Sequence, residues 1–155
     1  MIPASMQPPR GTAADILDSK PHVVHAIAPS ATVYDAVSKM NDCRVGALLV
    51  MDGERLVGIL SERDYARKII LVGRASKETR VEEIMIPKVI CVEPSATLAE
   101  CMRVVTEYSI RHLPVVKDHH VHGVLSTGDL VRALLEQQAE TIQKLNSFIG
   151  SDYPT

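Results

Sequence analysis

The residues best suited to chemistry come as a matched pair. Ser61 is followed three positions later by Asp64, and Ser126 by Asp129. Each follows a Gly-aliphatic-aliphatic run, Gly58-Ile59-Leu60 and Gly123-Val124-Leu125. Where an apolar strand ends at such a serine and a helix begins, unpaired N–H groups and the positive end of the helix dipole meet incoming ligands, which suits a phosphate. An aspartate there would repel phosphate, but its carboxylate can accept hydrogen bonds from the 2′- and 3′-hydroxyls of a ribose, as acidic residues do in dinucleotide folds. The same spacing also makes a plain capping box. Serine could cap the helix while aspartate reaches a sugar.

Other residues carry weaker signals. Arg63 and Arg111 offer guanidinium forks matched to phosphate oxygens, and His112 is a titratable third cation. Taken singly, Arg63 is equally a solvated helix residue and His112 a half-buried strand residue. His119, His120 and His122 invite a metal, but no carboxylate or cysteine completes a tetrahedral set, so a solvated turn is favoured. Cys43, Cys91 and Cys101 are scattered without a C-x-x-C, which argues against a disulfide framework or zinc knuckle and for a reducing, cytoplasm-like compartment. Neither G-x-x-x-x-G-K nor G-x-G-x-x-G occurs, and Ser, His and Asp form no catalytic constellation.

The elements that must position these residues are duplicated. Pro29-Ser30-Ala31-Thr32 recurs as Pro94-Ser95-Ala96-Thr97, Gly58-Ile59-Leu60-Ser61 as Gly123-Val124-Leu125-Ser126, and Asp64 as Asp129, all at a shift of 65 without a gap. Each copy reads β-α-β-β-α. A short apolar strand (Val23 to Ile27; Val89 to Val92) leads into Pro-Ser-Ala-Thr. The threonine and the acid three residues on (Asp35, Glu100) resemble a capping box. Apolar stripes follow at helical spacing: Val33, Ala36, Val37, Met40 and Leu98, Cys101, Met102, Val105. A buried strand (Ala47 to Met51; Leu113 to Val116), a polar turn and a second strand (Leu56 to Leu60; Val121 to Leu125) end at the serine. Gly73 predicts a helix stop, and Thr12 to Leu17 and Val81 to Met85 read as lead-in helices. Leu130, Leu134, Ile142, Leu145 and Ile149 carry the last helix to Gly150, past the repeat, and hint at a further partner or dimer. The division is therefore a flexible tail (1–11), a first repeat (12–73), a linker (74–80), a second repeat (81–138) and a C-terminal helix extension and tail (139–155).

Composition bounds the function. The 155 residues are 46% hydrophobic and 23% charged, a globular balance. A net charge of −2 argues against a nucleic-acid binder, and 3% aromatics against stacking platforms, leaving only an aliphatic slot for a base. No apolar run suffices to span a membrane, and Met1 to Arg10 has no secretory pattern.

The doubled Pro-Ser-Ala-Thr, the run Arg111-His112-Leu113-Pro114-Val115 and the doubled Gly-x-x-Ser-x-x-Asp together resemble a cystathionine-β-synthase (CBS) domain pair, or Bateman module. The Ser61-Glu62-Arg63-Asp64-Tyr65 run, the Gly73-to-Lys77 linker and the Leu145-to-Ile149 tail resemble its stand-alone members. The resemblance implies an α+β fold in which tandem repeats pack as a pseudo-twofold pair. It implies a non-catalytic sensor of adenine nucleotides (AMP, ADP, ATP or NAD), with no metal and no catalytic cofactor, regulating an unknown partner or its own assembly and forming a homodimer. It also implies two clefts between the repeats. One sets Ser61, Arg63 and Asp64 against Val89, Ile90, Arg111, His112 and Pro114. The other sets Ser126 and Asp129 against Val24, His25, Gly46 and Ala47. Gly128, Gly46 and Ala47 stand where the first copy's cleft has Arg63, Arg111 and His112, so stronger phosphate binding is expected at Asp64. A ligand-independent interaction module and, less favoured, a nucleotide hydrolase are the competing readings.

Overall fold

A computed structural model describes residues 11–21 and 23–152; most of the tail expected at 1–11 lies outside them. The element order is α1 (Ala13–Asp18), β1 (Ala26–Ile27), α2 (Val33–Cys43), β2 (Ala47–Asp52), β3 (Arg55–Ser61), α3 (Glu62–Tyr65) running into a π-helical turn (Ala66–Ile70), α4 (Val81–Ile84), α5 (Leu98–Glu107), β4 (His112–Lys117), β5 (His120–Ser126) and α6 (Thr127–Asp152). This is the expected α+β pattern, given twice.

The chain divides into two compact units, and each draws on both copies of the repeat. One combines the chain up to Pro21 with Val92–Val115 and everything from Val124 onward; the other combines the stretch ending at Cys91 with Val116–Gly123. The lead-in helices explain the exchange. In the second unit the amides of Val81 and Glu82 donate to the carbonyls of Ala31 (2.8 Å) and Pro29 (3.0 Å). In the first unit Ala13 and Ala14 donate to Ala96 (2.8 Å) and Pro94 (3.0 Å). The Pro-Ser-Ala-Thr turn thus accepts the first N–H groups of the other copy's lead-in helix, groups that have no partner within their own helix.

Helix starts follow from side-chain caps. Thr97 and Glu100 form the full reciprocal box on α5, as do Thr12 and Asp15 on α1. At α2, Thr32 Oγ accepts from the Asp35 amide at 3.1 Å. Gly73 takes φ +71°, a left-handed conformation that costs glycine little, and the Arg74 amide closes on Ile69 O at 3.0 Å.

The second unit carries a three-stranded sheet in the order β1-β2-β3, with β1 parallel and β3 antiparallel to β2. Its core is Val33, Ala36, Met40, Leu48, Val50, Leu60, Ile69, Val81 and Ile84. In the second copy β4 and β5 pair, and the counterpart of β1 is reduced to one parallel bridge, Val92 to Val115. The cause is a single residue. The Leu49 amide donates to His25 O at 3.1 Å in the first copy, whereas its counterpart is Pro114, which has no N–H to donate. Equivalent positions fill the first unit's interior: Leu98, Cys101, Val105, Leu113, Val115 and Leu125 are all buried.

Candidate functional site

Both Ser-x-x-Asp motifs stand at a strand-to-helix junction. At the first, the Ser61 hydroxyl accepts from the Asp64 amide (3.3 Å), and Asp64 Oδ2 accepts from the Ser61 amide and hydroxyl, each at 2.9 Å. At the second, Ser126 Oγ accepts from the Asp129 amide (3.1 Å), and Asp129 Oδ2 accepts from the Ser126 amide (2.8 Å). The capping box is present in both. It occupies one carboxylate oxygen and leaves the other, Oδ1, outside the cap.

The helix amides are less available to a phosphate than the sequence suggests. The Glu62 amide donates to Gly46 O and the Thr127 amide to Arg111 O, both at 3.0 Å, so the carbonyl ahead of each middle strand takes the first N–H. The third N–H belongs to the serine. Of the first three amides, two are engaged within the protein at each junction, so an anionic ligand depends on side-chain cations.

Those cations include three that lie outside the Ser-x-x-Asp motifs. Lys68 Nζ lies 3.3 Å from Asp64 Oδ1 and donates to Ile84 O at 2.8 Å. Lys20 Nζ donates to Asp129 Oδ2 at 2.6 Å and to Val124 O at 2.7 Å. Arg132 stands 3.8 Å from Asp129 Oδ1. Each aspartate therefore has one ammonium, delivered by different routes. Lys68 sits one turn along from Asp64, but its counterpart is Ala133, and Lys20 arrives from the end of α1, 109 residues away in sequence. The i,i+4 spacing made Lys68 findable; nothing local signals Lys20.

Asp64 is 7% exposed. Burial pushes the Asp129 carboxyl up, but the Lys20 hydrogen bond, the Ser126 amide and the Lys20 charge outweigh it and hold the group below the ordinary aspartate value. Asp129 is thus an anion at neutral pH with its counter-ion in place.

The remaining expected site residues fall as follows. Val24, His25, Gly46, Ala47, Ser61, Arg63, Asp64, Val89 and Ile90 belong to the second unit, and Arg111, His112, Pro114, Ser126 and Asp129 to the first. Arg63 and Arg111 are exposed, His112 half-buried and Pro114 buried. His119 takes φ +65° in the β4–β5 turn, and among the described residues no three His, Cys, Asp or Glu side chains gather around a common point. Cys101 is buried, and burial, with the neighbouring Glu100 charge, pushes its thiol up to about 11. Among the described residues no helix is long and apolar enough to cross a membrane.

The CBS domain matches residues 13–71 and 81–136. The chain is 45% identical over 127 residues to the CBS domain-containing protein CBSX3, mitochondrial, of Arabidopsis thaliana, covering 79% of this chain and 62% of that protein's length. A solved structure of a protein with CBS domains from Burkholderia ambifaria superposes with a TM-score of 0.76 at 42% identity, covering 94% of this chain and 98% of that one. CBSX2 in complex with AMP superposes with a TM-score of 0.66 at 29% identity, covering 82% of this chain and 98% of that one.

Proposed function

Because the chain belongs to the CBS-domain family, carrying two such domains, we propose that it is a non-catalytic sensor of adenine nucleotides. The carrying observation is the pair of junctions at which a capped aspartate keeps Oδ1 outside the cap, with an ammonium beside the carboxylate. The ribose hydroxyls of one ligand bind Oδ1 at Asp64, and those of another ligand bind Oδ1 at Asp129. With Oδ2 saturated by the cap, the sugar's two hydroxyls share one oxygen rather than taking one each. Ser61 and Ser126 hold the helix starts in place. Val89 and Ile90, half-buried and in the same unit as Asp64, supply aliphatic surface for the adenine. The AMP complex of CBSX2 supports this choice of ligand. Arg63 and Lys68 serve the phosphates at Asp64, and Lys20 and Arg132 do so at Asp129.

Ligand occupancy then shifts the stability of one arrangement of the protein and thereby its affinity for a regulated partner. Calorimetric titration of AMP, ATP and NAD into the wild type, Asp64→Ala and Asp129→Ala tests the assignment. Two binding events are expected in the wild type, with each variant losing one. In a melting scan, ligand at 100 times its dissociation constant adds about 2.7 kcal/mol. Absence of any shift with AMP, ATP, NAD or S-adenosylmethionine would assign the chain to ligand-independent interaction instead, and ATP hydrolysis that disappears in Asp64→Ala would make it an enzyme.

A further inference from the structure

The two copies of the repeat part company on the face that α2 and α5 turn toward the strand before them. In the first copy Lys39, half-buried on α2, reaches across to β1, the edge strand of its sheet, where its ammonium donates to the carbonyl of Ala26. At the shift of 65 its counterpart on α5 is Val104. Valine has neither the length to cross that space nor a group to donate. A cavity of about 280 Å³ opens there, with Val92, Ala96 and Val104, all half-buried, among its walls.

The charges around the space differ as well. Glu93, Glu100 and Arg103 also line the cavity, where the first copy has Ala28, Asp35 and Ser38. Among the described residues neither Glu93 nor Arg103 takes part in an ion pair. Glu100 Oε2 accepts from the Thr97 amide at 3.1 Å, and Oε1 lies outside that cap. Every one of these residues belongs to the same compact unit, and none is shared with the Ser-x-x-Asp junctions.

We propose that this cavity binds a basic amino acid, a short aliphatic chain bearing two ammonium groups and one carboxylate. The first copy shows the shape that fits, because the chain's own lysine side chain fills the equivalent space. Charge selects the rest. The carboxylates of Glu93 and Glu100 each face one ammonium, and the Arg103 guanidinium takes the ligand's carboxylate through two parallel N–H donors. Site and ligand match group for group, and no charge is left over. A nucleotide does not suit this cavity: its volume falls just under the roughly 300–1,000 Å³ of drug-sized sites, and two carboxylates repel phosphate.

Titrating L-lysine into the nitrogen-15-labelled full chain, followed by amide chemical shifts, tests the assignment. Saturable shifts are expected at Val92, Glu93 and Glu100 to Val104, and none at the first-copy counterparts, where Lys39 is already in place. Cadaverine lacks the carboxylate and norleucine the side-chain ammonium. Each should bind about two- to fivefold more weakly than lysine, the scale of one exposed ion pair. Val104→Lys rebuilds the first copy's arrangement and should abolish the shifts. Glu93→Gln, a surface change, should weaken lysine by about the same two- to fivefold, and Arg103→Ala should bind lysine no better than cadaverine. Circular dichroism melts establish that the variants stay folded. The proposal is overturned by the absence of saturable shifts in the wild type, by wild-type binding in Val104→Lys or Glu93→Gln, by norleucine binding as well as lysine, or by Arg103→Ala still preferring lysine to cadaverine. None of these readouts depends on whether AMP binds.

Discussion

Lys20 and Lys68 do the same job for their aspartates by unrelated means, and the difference can be measured. Lys68 is more exposed, and its pairing with Asp64 comes from its own helix turn. Lys20 is tied to both Asp129 and Val124 O and joins the end of α1 to the β5–α6 junction. Asp129's carboxyl is lowered on folding, so its contribution to stability is complete above the ordinary aspartate value of about 3.9 and is lost as pH falls through the folded value. Lys20→Met removes the leading cause of the lowering and leaves the burial that opposes it. The carboxyl rises, and loss of stability on acidification begins at a higher pH than in the wild type. At neutral pH the variant should be about 1–3 kcal/mol less stable, the cost of removing a charged hydrogen-bond partner from a part-buried group. Urea unfolding at pH 7 and in steps down to about pH 3 measures both effects; coincident acid profiles would show that the ammonium does not hold the carboxylate. The Ser-x-x-Asp pairs themselves are legible from sequence because each is a local motif repeated at one shift. Lys20 is not, because only folding brings residues 20 and 129 together.

At the level of elements, the strands and helices follow closely from apolar spacing, turn residues and caps, and the departures have specific causes. The first strand of each copy is shorter than its apolar run, Val23 to Ile27 giving β1 at Ala26–Ile27 and Val89 to Val92 giving one bridge. Hydrophobicity marks a run as buryable, but ladder length depends on which partners have an N–H, and Pro114 does not. The helix after Ser61 becomes a π-turn from Ala66, a change of hydrogen-bond register that periodicity over nine residues does not resolve. Gly58 shows a further constraint invisible in the sequence. Ile59 and Ile86 exchange backbone hydrogen bonds at 3.0 and 2.9 Å, and a Cβ at residue 58 would come within 2.6 Å of Met85 Sδ and 3.0 Å of Ile86 O. That bridge fixes the start of the segment carrying Val89 and Ile90. Gly58→Ala should therefore cost about 1–3 kcal/mol, because the thioether can swing aside but the Ile86 carbonyl is held by the bridge. A chemical denaturation midpoint equal to wild type would mean the segment yields freely.

For the whole molecule, the consequence of the duplication is that sequence repeat and folding unit differ. A repeat of about 60 residues is expected to be marginal alone because it buries too little of its surface. The structure supplies a stronger reason. Val81 and Glu82 donate to the turn at Pro29–Ala31, and Ala13 and Ala14 to the turn at Pro94–Ala96, so a chain ending within the linker lacks the helix that completes its own Pro-Ser-Ala-Thr turn. Val81 and Ile84 are core residues of the unit built around β1–β3, and Ala13, Ile16 and Leu17 are buried in the unit built around α5. Each isolated half carries a lead-in helix with no turn to dock on, and a turn with its acceptors unfilled. Separately expressed fragments 1–76 and 77–155 should each lack a cooperative thermal transition, while an equimolar mixture regains one, since together they contain every hydrogen bond of both units. Circular dichroism melts of each fragment and of the mixture decide the matter. A fragment that melts cooperatively near the intact chain's midpoint would show that the lead-in helix is dispensable, and that the repeat, rather than the exchanged unit, is what folds.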